Sequence, residues 1–287
     1  MDTPPLHDLI IRHIAGYLKY DNKTLVTLMR VSRRFYSLRD IFFKGCFLNY
    51  DGSHSAYETR PYGWNKVGYM KLKDLDIADL SDLGSIGGLT LSVFPRVTNV
   101  SPLAKIPYLI LHIFPKLTNV SPLRYCHYLQ LSDCPQIRDV STLHSLHSLE
   151  LFRCPSINDV SALGGLYDLH LHHLVIRDVS ALGRVHNLTL SWCHQITDVS
   201  ALGGVYNLGL NNCGGIRNVS ALSTVHILRL IALNIDDVSA LGKVKDLLLE
   251  HCNFITDVSA LCDVPILRIF FCNNIVDFSV VSQAVII

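Results

Sequence analysis

The sequence predicts an α/β solenoid over residues 67–287, preceded by a small helical unit over residues 1–45. Three observations carry this reading. The tripeptide Asp/Asn-Val-Ser recurs from Asp79 to Asp277 in eight steps of 20 residues and two of 19, the outermost copies reading DLS and DFS. A period this regular marks stacked structural repeats. Each unit carries a Leu-x-Leu pair, and that period of two defines a short strand. Residues 1–45 lack the repeat and space their apolar residues as helices do.

One unit shows the design. Val205 to Ile216 reads V-Y-N-L-G-L-N-N-C-G-G-I, with apolar residues at its first, fourth and sixth positions, cysteine at the ninth and isoleucine at the twelfth. Strand pairs run from Leu89-Leu91 through Leu208-Leu210 to Leu267-Ile269, with an earlier rung legible in Val67, Met70, Leu72, Leu75 and Ile77. About eleven rungs at ~4.8 Å spacing make a parallel sheet roughly 50 Å long. The unit resembles the leucine-rich repeat, L-x-x-L-x-L-x-x-N/C-x-L. That resemblance implies a horseshoe with the sheet on its concave face.

The rest of each unit returns the chain. In D-V-S-A-L-G-G the serine is a candidate cap, and Pro102 and Pro122 suit a first helical position. Gly164, Gly183, Gly203 and Gly242 are candidates to end the turn. So short a return leaves room for about one helical turn, so the convex side should carry 3₁₀ or loop segments.

Six cysteines, Cys134, Cys154, Cys193, Cys213, Cys252 and Cys272, share the ninth position with Phe94, Phe114, Leu174 and Leu233. Apolar substitutes mean the site faces inward, where cysteine is a small hydrophobe with a weak S–H donor for neighbouring carbonyls. No Cys-x₂-Cys pair exists, so no zinc site is expected. His127, His147, His186 and His226 share the second position with Tyr167 and Tyr206. These rings should stack as a column along the edge where the chain enters the sheet. A pH-sensitive or metal-binding edge is the sharper alternative.

Positions three, five, seven and, in part, eight vary from rung to rung while the frame does not. They should line the concave face and read a partner. The richest patch is Phe152, Arg153, His170, His172, His173 and Trp192, residue types that favour interface hot spots. A second, more apolar patch is Ile231, Phe270 and Phe271.

At the N-terminus, Leu6, Ile10, Ile14 and Leu18 fall at helical spacing, and Leu25, Leu28 and Val31 suggest a second helix capped by Asn22 or Thr24. Ser32 can start a third. Three short helices hold too little core to be stable alone; docking on a partner, or capping the first rung, would supply it. The segments I-A-G-Y-L (Ile14 to Leu18) and V-S-R-R-F (Val31 to Phe35) resemble an F-box over roughly residues 5–44. The resemblance implies docking on the adaptor Skp1 through Leu6, Ile10, Ile14, Leu18, Leu28 and Val31, and through it a cullin-RING ubiquitin ligase. The Cys-x-x-Ile-x-Asp spacing is similar to the cysteine-containing repeats of F-box proteins. The short D-V-S-A-L-G-G unit is similar to proteins encoded by large DNA viruses of amoebae. Residues 50–66 are polar and turn-rich, and residues 46–66 read as the connection between the two parts.

Composition narrows the function. The chain has 287 residues, a formal charge of +1 and nine cysteines. Near-neutral charge predicts no nucleic-acid partner, and no apolar run reaches membrane length. The N-terminus does not resemble a secretory signal. An odd cysteine count at a repeat spacing predicts free thiols and a reducing setting: the cytoplasm, with the nucleus as alternative, in a host cell if the chain is viral. No nucleotide-binding loop is present, and the recurring Asp and Ser are turn residues. The expectation is therefore no catalytic residues, no cofactor and no metal. The leading reading is the substrate-recognition subunit of a Skp1-cullin-F-box ligase. The alternatives are a general binding or adhesion repeat protein and a viral decoy that sequesters Skp1.

Overall fold

The computed structural model describes residues 47–49, 69–73, 78, 80, 87–279, 281 and 285–286. Among these, thirteen parallel strands form one sheet in strict sequence order. They are β1 (Phe47–Asn49), β2 (Tyr69–Lys73), β3 (Gly88–Ser92), β4 (Tyr108–His112), β5 (Tyr128–Ser132), β6 (Ser148–Phe152) and β7 (Asp168–His172). They continue as β8 (Asn187–Ser191), β9 (Asn207–Asn211), β10 (Ile227–Ile231), β11 (Asp246–Glu250), β12 (Ile266–Phe270) and β13 (Val285–Ile286). The register places like on like: Leu188 pairs with Leu208, and Leu190 with Leu210. β2 to β12 are the eleven rungs the repeat predicts. β1 lies inside the segment read as a connection and pairs in parallel with β2; β13 does the same on β12.

A rung is a closed loop with seven inward positions. In one of them Val205, Leu208, Leu210, Cys213, Ile216, Val219 and Leu222 are each at most 1% exposed. Two come from the strand and the rest from the turn and return leg, so sheet and return sandwich one continuous core. Each fully buried Leu, Ile or Val is worth about 1.5–3 kcal/mol, and the repeat multiplies that along the axis. Phe94 and Phe114 fill the ninth position of the early rungs and stack with centroids 5.4 Å apart. Further on, two cysteine rungs alternate with one leucine rung. In the cysteine rungs a turn brings the isoleucine N–H back to the cysteine carbonyl, as Ile196 does to Cys193 at 3.2 Å. The 19-residue rungs are one residue shorter and place the larger Leu174 or Leu233 there.

The cysteines behave as the sequence predicts. Cys193 Sγ donates to the carbonyls of Ser191 in its own rung and Leu171 in the rung before, at 3.5 and 3.6 Å. Cys213 does the same with Asn211 and Leu190. All eight described cysteines are free thiols, and only Cys262 is exposed. The facing sulfur of the next rung, together with burial, holds the Cys134, Cys193 and Cys252 thiols well above the ordinary cysteine range.

The return legs carry 3₁₀ segments such as Ser161–Gly165 and Ser200–Gly204, with Pro102 and Pro122 at their starts. Two details correct the sequence reading. The serine does not cap: it is the first residue of the segment, and the Asp or Asn two residues earlier accepts its N–H. Asp198 Oδ1 takes the Ser200 N–H at 2.8 Å, and ten rungs repeat this turn. Those bonds from Ser200 hold the Asp198 carboxyl below the usual carboxylate range. The glycines do not end the turn by a left-handed conformation either. Gly164 is needed because a Cβ there would sit 2.0 Å from the Ala181 carbonyl oxygen of the next rung, and Gly183 faces Ala201 the same way at 2.2 Å.

Candidate functional site

The eighth position builds the variable face. Side chains alternate along a strand, so after the outward seventh residue the eighth should point into the core. Instead all ten residues at this position between Val93 and Phe271 have φ of 49–63°. The left-handed conformation turns the eighth side chain outward beside the seventh, which makes the pairs Phe152-Arg153, His172-His173 and Phe270-Phe271. It costs a non-glycine residue roughly 1–2 kcal/mol. The ladder offsets it: Trp192 N–H donates to the Asn211 carbonyl at 2.8 Å, and Arg153 N–H to that of His172 at 3.1 Å.

The first predicted patch is contiguous. Phe152 lies edge-on to His173 at 5.4 Å and tilted against His172 at 6.1 Å. The Arg153 guanidinium sits 4.8 Å from the Phe152 ring centroid. His173 stacks on Trp192 at 5.3 Å, and Trp192 remains 45% exposed. His170 and His172 lie parallel at 6.1 Å on β7.

A polar network borders these rings, and apart from His170 its members were not singled out in the sequence. Asp168 binds His170 Nε2 at 3.0 Å and accepts the Ser148 hydroxyl at 2.9 Å. Glu150 accepts from the Tyr128 hydroxyl at 3.1 Å and from Gln130 Nε2 at 3.4 Å. Burial opposes charge on His170, but the Asp168 hydrogen bond and the charges of Asp168 and Glu150 outweigh it and raise its pKa. His172 goes the other way: burial and the charges of His170 and His173 lower it to about 4. Adjacent imidazoles therefore hold opposite protonation preferences. The signal for Asp168 and Glu150 was available, since both occupy outward strand positions of the same rungs.

The second predicted patch is not continuous. Ile231 pairs with Glu250, which pairs with Phe270, so a carboxylate separates Ile231 from the two phenylalanines. Phe271 instead stacks on His251 at 4.9 Å. The residues read as adaptor contacts, Leu6, Ile10, Ile14, Leu18, Leu28 and Val31, lie outside the described residues.

The ring column stands as predicted. From His127 through His147, Tyr167, His186 and Tyr206 to His226, successive centroids are 4.6–4.9 Å apart with interplanar angles up to 19°. Tyr108 meets His127 edge-on at the head of the column. Among the described residues, no group of three or more His, Cys, Asp or Glu is placed to hold a metal ion, and no helix is long and apolar enough to cross a membrane.

No family model matches the chain, and no curated protein sequence matches it. Solved structures do. Internalin InlF from Listeria monocytogenes superposes with a TM-score of 0.54 at 19% identity, over 76% of this chain and 82% of that one. The functional domain of InlJ from the same organism, which includes a cysteine ladder, matches with a TM-score of 0.42 at 18% identity, over 70% and 57%. The leucine-rich-repeat domain of the type III effector XopL matches with a TM-score of 0.38 at 14% identity, over 92% and 83%. The likeness to InlF, joined to the rung geometry above, makes this chain a leucine-rich-repeat protein by fold.

Proposed function

We propose that the protein is the target-recognition subunit of a Skp1-cullin-F-box ubiquitin ligase. The concave face around Phe152 and Trp192 captures a target protein, and residues 1–45 dock on a Skp1-like adaptor through Leu6, Ile10, Ile14, Leu18, Leu28 and Val31. A separate enzyme then transfers ubiquitin, and this chain contributes proximity and orientation. The observation that carries target capture is the unbroken row of exposed and half-exposed rings with Arg153 on a rigid sheet. Aromatic residues and arginine dominate interface energetics, and a face held by the strand ladder loses little entropy on binding. The adaptor half rests on the I-A-G-Y-L and V-S-R-R-F segments. Buried free thiols support a reducing compartment, the cytoplasm or nucleus.

Purified protein mixed with Skp1 should co-elute on size exclusion, and Leu18→Asp or Val31→Asp should abolish the complex. No complex with the wild type removes the adaptor role; a complex that survives both variants removes the surface. A target pulled down by the full chain should be lost with Trp192→Ala and with Phe152→Ala, and unchanged capture would place the target elsewhere.

A further inference from the structure

The ninth-position cysteines come in pairs. Cys134 and Cys154, Cys193 and Cys213, and Cys252 and Cys272 stand in neighbouring rungs, with Leu174 and Leu233 in the rungs between pairs. Within a pair the two residues are in register: Glu250 faces Phe270 across β11 and β12, two residues before Cys252 and Cys272. Neighbouring rungs run about 4.8 Å apart, inside the roughly 4.4–6.8 Å between Cα atoms that a disulfide spans. The sulfurs of each pair face one another closely enough to hydrogen-bond. All six are free thiols.

Access separates the pairs. Cys134, Cys154, Cys193, Cys213 and Cys252 are 0% exposed, whereas Cys272 is 6% exposed. Val264, Leu267 and Ile275 of the same rung are 5–6% exposed as well, so solvent reaches the core there. Cys272 is also less tied. Cys154 and Cys213 each reach a carbonyl of their own rung and one of the rung before. Among the described residues Cys272 reaches only Phe270 of its own rung, at 3.5 Å. We propose that Cys252 and Cys272 are a peroxide-sensitive pair that closes to a disulfide between the β11 and β12 rungs, while the other two pairs stay reduced.

The two sulfurs take different roles. The hydrogen bond from the Cys252 thiol holds the Cys272 pKa below the ordinary cysteine range, against burial and the charge of Glu250. The same contact, together with burial, holds Cys252 above it. The thiolate is the nucleophile, so Cys272 attacks. Its sulfur takes one oxygen of hydrogen peroxide: the S–O bond forms, the O–O bond breaks, and the departing hydroxide is protonated to water. Cys272 is then a sulfenic acid, which condenses with a neighbouring thiol. The Cys252 sulfur displaces its oxygen, the S–S bond forms, and the oxygen leaves as water with the Cys252 proton. Two thiols lose two electrons, and one peroxide becomes two waters. The other pairs share the asymmetry but give peroxide no path, and buried structural cysteines are inert. Cys252 and Cys272 directly follow the stacked His251 and Phe271, so the new bond ties two rungs at the border of the concave face.

The test is peptide mapping by mass spectrometry after the full, reduced chain is treated with hydrogen peroxide and its remaining thiols are alkylated in denaturant. Cys262 is exposed and shares a tryptic peptide with Cys252, so the map is made on Cys262→Ser. The Cys252–Cys272 link should form at least about tenfold faster than any link among the four buried cysteines, and dithiothreitol should reverse it. Cys252→Ser should stop at the Cys272 sulfenic acid, which dimedone captures. Cys272→Ser should leave Cys252 unlabelled and unlinked. The map of the Cys262→Ser chain decides even if either of these buried variants folds poorly. Absence of a Cys252–Cys272 link, a link forming first in either of the other pairs, or dimedone on Cys252 rather than Cys272 would each overturn the proposal.

Discussion

The return leg and the concave face are built from the same rungs under opposite tolerances. On the return leg Asp/Asn-Val-Ser-x-Leu recurs in every rung from Asn99 to Asp257; on the concave face Glu150, His170 and Thr189 occupy one register position in successive rungs. The difference lies in what each side meets. Where a return-leg glycine abuts the next rung's backbone, as Gly164 and Gly183 do, a single methyl group is too large. Concave side chains meet solvent or a partner, and the strand ladder beneath them does not depend on their identity. Invariance along this chain therefore marks rung-to-rung packing, and variation marks the surface free to specialise.

The strongest way to break that comparison is a pair of neighbouring glycines. Gly164→Ala should destabilise by about 3 kcal/mol, since the new Cβ meets the Ala181 carbonyl and backbone must move. Gly165→Ala, with nothing near its Cβ, should stay within about 0.5 kcal/mol of wild type. Urea unfolding measures both, and equal effects would mean that glycine is conserved along the solenoid for some reason other than stacking. Next in size is the eighth position. Ile113 is β-branched with φ of 60°, so Ile113→Asn should gain about 0.5–1 kcal/mol by relieving left-handed strain. A loss instead would show that the side chain, not the backbone, sets the cost there.

The Asx turns offer a smaller test. Asp198→Ala removes the acceptor of the Ser200 N–H and should lower the melting temperature, while Asp198→Asn should not, because Asn99, Asn119 and Asn218 make the same turn elsewhere. The finest test is the His170–His172 pair, followed by NMR titration. His172 has a folded pKa of about 4 against an ordinary 6.5, so its ring should stay neutral from pH 7.5 to 5. The unfolded chain protonates first, and His172 therefore costs stability as pH falls between those values. His170, raised by Asp168 and Glu150 against its burial, contributes stability that is present below the ordinary histidine value and lost as pH rises through its own. Asp168→Asn should lower the His170 midpoint and leave His172 unprotonated at pH 5. Matching midpoints for the two rings in the wild type would refute the geometry.

The solenoid was legible because its repeat is one-dimensional: period, strand pair, buried cysteine and ring column all follow from counting residues. Three features were misread. The serine and glycine of the return leg were assigned to local capping, whereas Ser200 answers to Asp198 and Gly164 to Ala181 one rung away. The third is the patch at Ile231 and Phe270: Glu250 holds the seventh position of the rung between them and was countable in the sequence, and the paired strands place its carboxylate between the two.

What the sequence alone determined is the rung: which seven residues turn inward, where the strand falls and how often it recurs. Those are fixed by hydrophobic spacing within a single unit. The tertiary structure decided everything that depends on two rungs at once. It set the Cβ clearance at Gly164, the carbonyls that receive the cysteine thiols, and the left-handed turn that carries Trp192 and Arg153 outward. It also set the ring spacing of the column from His127 to His226. Each depends on distances across a gap of about 4.8 Å between neighbouring chains, and that gap closes only when the rungs stack.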